Sequence, residues 1–164
     1  MATPTTLPAT FVAGNVLEAE QLNDLRGAFR VLQVVQSTLS TQFNTTSTSF
    51  TSVGLTATIT PTSTSSAVLV MYSGSQANAS GQNVFTTVYR GTTAGTNLGT
   101  TNGFGFAYST AGGTTSSGVT GIILDTPATI SAQVYTVAMK TSGGTGSWSE
   151  NNTRSSITLM EISA

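Results

Sequence analysis

The chain contains no cysteine and no histidine. Disulfides and Cys/His zinc sites are therefore excluded. A Ser-His-Asp triad, a cysteine nucleophile and a histidine general base are excluded with them. Charge is also scarce. Five Lys+Arg stand against six Asp+Glu, a net charge of −1, and only 7% of residues are charged, where an ordinary soluble domain has roughly 25%. Five cations cannot build the basic stripe that nucleic-acid binding needs, so no nucleic-acid partner is expected. At 164 residues the length suits about one domain.

What the chain has in abundance is threonine (33), serine (21) and glycine (17), together 71 of 164 residues. Disorder does not follow. Leu, Ile, Val and Phe number 37, enough to build a core, and the net charge is low rather than high. The expected protein has an apolar interior and a surface of hydroxyls and amides. Five of the eleven charges crowd into Glu18, Glu20, Asp24, Arg26 and Arg30, and none occurs from Val31 to Tyr89 or from Gly91 to Leu124. The N-terminal residues show neither the basic nor the apolar region of a secretory signal. No run approaches the roughly 20 apolar residues of a membrane span, so no membrane partner is expected. The sequons at Asn44, Asn78 and Asn151 are then chance products of a Thr/Ser-rich chain. A surface of extracellular character without an export signal fits a virion assembled in a cell and released from it.

Two units are expected, 1–30 and 31–164. Pro4, Pro8 and Gly14 mark residues 1–14 as an extended arm. Residues 15–30 suit a helix, with Asn15 as cap and Glu18 three residues on. Leu22, Leu25, Phe29 and Leu32 recur at helical spacing as one narrow apolar seam. With Phe11, Val16 and Leu17 they form a candidate attachment or oligomer surface; packing of the helix on its own domain is the alternative.

From Val31 the periodicity changes to two. Leu55, Ala57 and Ile59 alternate with threonines. Val68–Tyr72, Val84–Tyr89 and Val119–Leu124 have strand length. Phe104, Phe106 and Tyr108 alternate with small residues, and Ile130–Met139 and Ile157–Ile162 alternate to the C-terminus. Threonine is β-branched and fits a pleated surface. Pro61-Thr62-Ser63, Ser73-Gly74-Ser75, Gly112-Gly113, Asp125-Thr126-Pro127 and Gly143-Gly144 punctuate the strands. Eight to ten short strands predict an antiparallel β-sandwich or barrel; a β-solenoid is the alternative, though no internal period is present. Lys140 is the sole lysine, so the edges lack the usual gatekeepers. Cover by copies of the same chain in a closed cyclic oligomer is the economical expectation.

The catalytic inventory is thin. Asp125, Glu150 and Glu161 are the only carboxylates after residue 30. Asp125 suits a turn, Glu161 suits pairing with an arginine, and Arg90 suits a salt bridge or a bond to loop carbonyls. Catalytic residues, cofactor and metal are all expected to be absent, and the protein is expected not to be an enzyme. Trp148, the only tryptophan, lies among hydroxyls and amides with Glu150, Asn151 and Asn152. It is either a buried plug at one end of the sandwich or, with those three, a ligand-facing sugar platform.

The segment Gly14-Asn-Val-Leu-Glu-Ala-Glu-Gln-Leu-Asn23 resembles a Gly-x-Val-Leu-Thr-Ala-x-x-Leu-Asn module near the start of tailed-phage fibre and head-decoration proteins, with Glu18 where Thr is usual. Ile59–Val70, Leu124–Thr129 and Ile157–Ile162 resemble strand-turn segments of the same proteins. The resemblance implies a jelly roll like that of the tumour-necrosis-factor family and a homotrimer with one sheet face at the threefold axis. It implies a virion protein on the particle exterior, bound to the major capsid protein or to tail or baseplate proteins. Brevity favours a capsid decoration or cement protein (a head fibre) over the alternative, a tail-fibre protein that binds host surface polysaccharide.

Overall fold

The computed structural model describes residues 31–110 and 113–163. The candidate seam residues Phe11, Val16, Leu17, Leu22, Leu25 and Phe29 lie outside the described residues. The strands are β1 (Val31–Leu39), β2 (Phe43–Thr45), β3 (Thr51–Ile59), β4 (Ala67–Asn78), β5 (Asn83–Arg90) and β6 (Thr96–Asn97). They continue with β7 (Gly105–Tyr108), β8 (Thr115–Asp125), β9 (Gln133–Thr141), β10 (Gly146–Trp148) and β11 (Ser155–Ile162). One 3₁₀ turn, Glu150–Asn152, separates β10 from β11.

All pairings are antiparallel and form two sheets. In sheet A, β8 flanks one side of β4; β11 and then β10 flank the other, and these pair outward with β1 and β2. Sheet B runs β3-β9-β5, with β6 and β7 end to end along the far edge of β5. Counting β1/β2, β6/β7 and β10/β11 as interrupted single strands gives eight, ordered 1-8-3-6 and 2-7-4-5. That is the double Greek key of a jelly roll, so the fold is the expected mainly-β antiparallel sandwich.

Alternation builds the core. In β3, Val53, Leu55, Ala57 and Ile59 point inward while Gly54, Thr56 and Thr58 face out. Val68, Val70 and Tyr72 from β4, Val84 and Val88 from β5, and Ile157 and Leu159 from β11 meet them between the sheets. Two glycines let large rings into this space. A Cβ at Gly121 would lie 2.1 Å from the Tyr72 ring, and one at Gly74 would lie 2.5 Å from Trp148.

Three expectations need correction. Leu32 belongs to β1, where the register shifts between Val31 and Gln33, so it is not the last rung of a helical seam. Ile130 is exposed in the turn before β9, which starts at Gln133; the chain there passes through Ala128 at φ 52. Asp125 is not a turn residue but the buried end of β8, paired with Arg90.

Glu161 also differs from expectation, because no arginine meets it. Gln33 Nε2 donates to its Oε2 at 2.6 Å, and Thr62 donates to Oε1 from its backbone N (2.6 Å) and its Oγ1 (2.7 Å). Gln33 Nε2 also donates to the Thr60 carbonyl at 2.6 Å. The residue is fully buried. Burial pushes its pKa up, but these hydrogen bonds to the charged form outweigh burial and bring it from 4.5 to about 2. A carboxyl whose folded pKa is depressed stabilises the fold above its unfolded pKa. That contribution is lost as pH falls from 4.5 through about 2. Urea titrations across this window are expected to show declining stability in the native chain and a flatter profile in Glu161→Gln. At neutral pH that variant should lose about 1–3 kcal/mol, since an amide brings N–H groups toward existing donors.

Candidate functional site

Alternation gives each sheet an outer as well as an inner face, and the outer face of sheet A is unusual. Register aligns Val34 with Met160, Met160 with Leu69, and Leu69 with Leu124. The next row aligns Gln36, Thr158, Met71 and Ile122. Two adjacent rows, each about 14 Å wide, therefore carry mostly aliphatic side chains. Ile122 is 64% exposed, Leu124 57% and Val34 55%. No charged side chain interrupts these rows. A shallow hollow of about 250 Å³ lies in this face, lined by Met71, Thr120, Ile122 and Thr158 among others. Contiguous exposed aliphatic surface of this kind marks an interaction site.

Further along β4, the turn between β10 and β11 lies against the same face at Ser75. Ser149 N donates to the Ser75 carbonyl at 2.9 Å, and the hydroxyls of Ser75 and Thr153 are hydrogen-bonded. Ser149, Asn151 and Asn152 take left-handed backbone angles, φ 52, 55 and 58, which asparagine tolerates better than most residues. The break between β1 and β2 lies opposite. Gln42 N donates to Asn152 Oδ1 at 3.1 Å, and Asn151 N donates to Gln42 Oε1 at 3.2 Å. This clasp ties the β1–β2 break to the Glu150–Asn152 turn.

The candidate ligand loop is thus partly assembled. Glu150, Asn151 and Asn152 share one turn, with both asparagines exposed. Trp148 is separated from them: it is 0% exposed in β10, its ring centroid 6.4 Å from that of Tyr72. Its burial makes it the plug and not a sugar platform, and the absence of a side chain at Gly74 leaves room for its ring. The described residues hold no cluster of three or more acidic side chains able to bind a metal, and no helix among them is long and apolar enough to cross a membrane.

Sequence reasoning missed two features. The aliphatic rows combine residues of four strands, so their signal exists only once the register is known. On sheet B, Phe106 and Tyr108 are exposed on the outer face, beside Phe85 and Lys140.

No family model and no curated protein sequence matches the chain. Among solved structures, it is similar to the VP2 subviral particle of infectious bursal disease virus, at 16% identity and a TM-score of 0.43 over 81% of this chain and 34% of that one. The Gx strain of the same virus gives 16% identity and a TM-score of 0.42 over 80% and 36%. Bacillus endospore appendages, described as disulfide-linked pili, give 16% and 0.34 over 77% and 88%. The chain spans about a third of the length of the viral chains it is similar to.

Proposed function

We propose that this chain is a non-enzymatic structural protein on the exterior of a tailed-phage virion, most simply a homotrimeric capsid decoration or cement protein (a head fibre). The observation that carries it is the aliphatic outer face of sheet A. A hydroxyl-rich chain with three acidic and three basic residues after position 30 has little else to keep such a face in solution. Burying it against copies of itself removes the apolar surface and the bare β8 edge together. The resemblance of residues 14–23 to the phage module supports attachment through residues 1–30, by way of Phe11, Val16, Leu17, Leu22, Leu25 and Phe29, to the major capsid protein or to tail or baseplate proteins.

Sedimentation of the full chain is expected to show a trimer at micromolar concentration. Ile122→Asp puts a carboxylate into the buried rows at a cost of several kcal/mol, so dissociation should rise at least about a hundredfold. Ile122 is exposed in the single subunit, so the monomer should keep its β-type circular dichroism. A native chain that sediments as a monomer overturns the reading. Quantitative mass spectrometry of virions separates decoration, with hundreds of copies, from a tail fibre, with tens.

A further inference from the structure

Sheet B presents a different chemistry from sheet A. Across its outer face, register places Phe106 of β7 beside Phe85 of β5, and Phe85 beside Lys140 of β9. The two phenylalanine rings have centroids 6.0 Å apart at 41°. Lys140 Nζ lies 5.2 Å from the Phe85 ring and 4.8 Å from the Phe50 ring, and donates to the Thr101 carbonyl at 2.7 Å. Phe106 is 65% exposed and Tyr108, two residues on along the same face, 52%. The segment around Asn97–Gly103 folds over the sheet beside them. Asn97 Oδ1 accepts from Thr87 Oγ1 at 2.6 Å, and a Cβ at Gly103 would lie 2.2 Å from the Thr86 carbonyl oxygen. This wall carries exposed Thr101 and Asn102 at its tip.

We propose that this shelf of rings, cation and amide wall is a binding platform for an acidic polysaccharide, with a pyranose ring against Phe106 and Phe85 and its carboxylate at Lys140. Ring faces carry partial negative charge, so the weakly positive C–H edges of a sugar lie well on them. An ammonium with one carbonyl partner and two rings keeps donors for an incoming anion. The charge balance fixes the sign of the ligand. The described carboxylates lie elsewhere: Asp125 is bound to Arg90, Glu161 is buried in sheet A, and Glu150 is in the turn beside it. Lys140 is therefore the only ionised side chain on this face among the described residues. The contrast with sheet A argues against a second copy as occupant, since aliphatic rows suit protein packing and an open ring-cation shelf does not require it. The site is independent of which particle carries the chain.

Affinity electrophoresis of the full-length protein in gels cast with polygalacturonate, alginate or hyaluronate, and with neutral dextran, tests the proposal. At least one acidic polymer is expected to retard the protein more than dextran does, and high salt should shrink the difference. Phe106→Ala should weaken that retardation about tenfold without lowering the melting temperature, because the ring is exposed. Lys140→Met, which keeps the alkyl packing, should erase the preference for acid, and Lys140→Arg should retain it. Absence of retardation by all three acidic polymers, equal retardation by dextran, or retardation unchanged in Phe106→Ala and Lys140→Met overturns the proposal. So does a change of oligomeric state in Phe106→Ala, which would make the shelf a contact between copies.

Discussion

Trp148→Ala is expected to lower the unfolding free energy by about 3–5 kcal/mol, the range for deleting a large buried aromatic side chain. The ring is fully buried between the sheets beside Tyr72. It fills space that Gly74 leaves open, with Cζ2 2.5 Å from where a Gly74 Cβ would stand. Ser149 and Ser155, whose hydroxyls are 2.7 Å apart, are buried nearby and limit collapse into the hole. Trp148→Phe should cost less, because a smaller ring leaves a smaller cavity. Gly74→Ala offers the complementary test, since it leaves Trp148 intact but drives a methyl group into it. Urea denaturation of the three variants checks the ranking. A Trp148→Ala variant as stable as the native chain would mean that the ring is not the plug described. Retardation by acidic polysaccharide should persist in Trp148→Ala below its melting temperature, because the ring does not reach the outer face of sheet B.

Much of the sandwich was legible because period two is a local property. Leu55-Ala57-Ile59 against threonines, and Ile157-Leu159 against Thr158 and Met160, reveal strands with no knowledge of their partners. The change to period two after Val31 likewise matches a strand, Val31–Leu39. What it could not supply was pairing. The outward row Val34-Met160-Leu69-Leu124 draws on residues up to 126 positions apart. Periodicity also failed where the backbone leaves strand geometry. Phe104 and Phe106 have the same parity, yet Phe104 precedes β7 and packs on Tyr72, while Phe106 faces out. Glu161 was opaque for another reason. A carboxylate in strand alternation signals a partner but not its charge, and the donors turned out to be neutral groups of Gln33 and Thr62. For Trp148, composition left two environments open, and the deciding feature was a glycine 74 residues earlier.

The second large effect is expected at Asp125, which ties the two sheets together at one end. It closes β8 in sheet A, while its partners Arg90 and Tyr135 belong to β5 and β9 of sheet B. Arg90 Nη1 donates to both carboxylate oxygens, at 3.1 and 3.2 Å, and Tyr135 Oη donates to Oδ2 at 2.7 Å. Burial first, then the hydrogen bond and the charge of Asp125, raise the Tyr135 pKa far above its ordinary value, so the phenol remains a neutral donor. Asp125→Ala removes the acceptor for both donors at once. Tyr135 is fully buried and cannot turn to water, but the Arg90 side chain is 26% exposed and recovers some hydration. The expected loss is therefore about 2–4 kcal/mol, below the upper range for a wholly buried pair. Asp125→Asn, which keeps an acceptor for Tyr135 but loses the ion pair, should fall between native and Ala. Removing Tyr135's hydroxyl as well, in Asp125→Ala with Tyr135→Phe, should cost less than the sum of the single substitutions, because the fully buried phenol donor is no longer left unpaired. A loss under about 1 kcal/mol in Asp125→Ala would put the contact among weak surface pairs. In that case the sheets would be joined by the apolar interior and by buried hydrogen bonds such as Thr86 Oγ1 to Gln76 Oε1 at 2.7 Å.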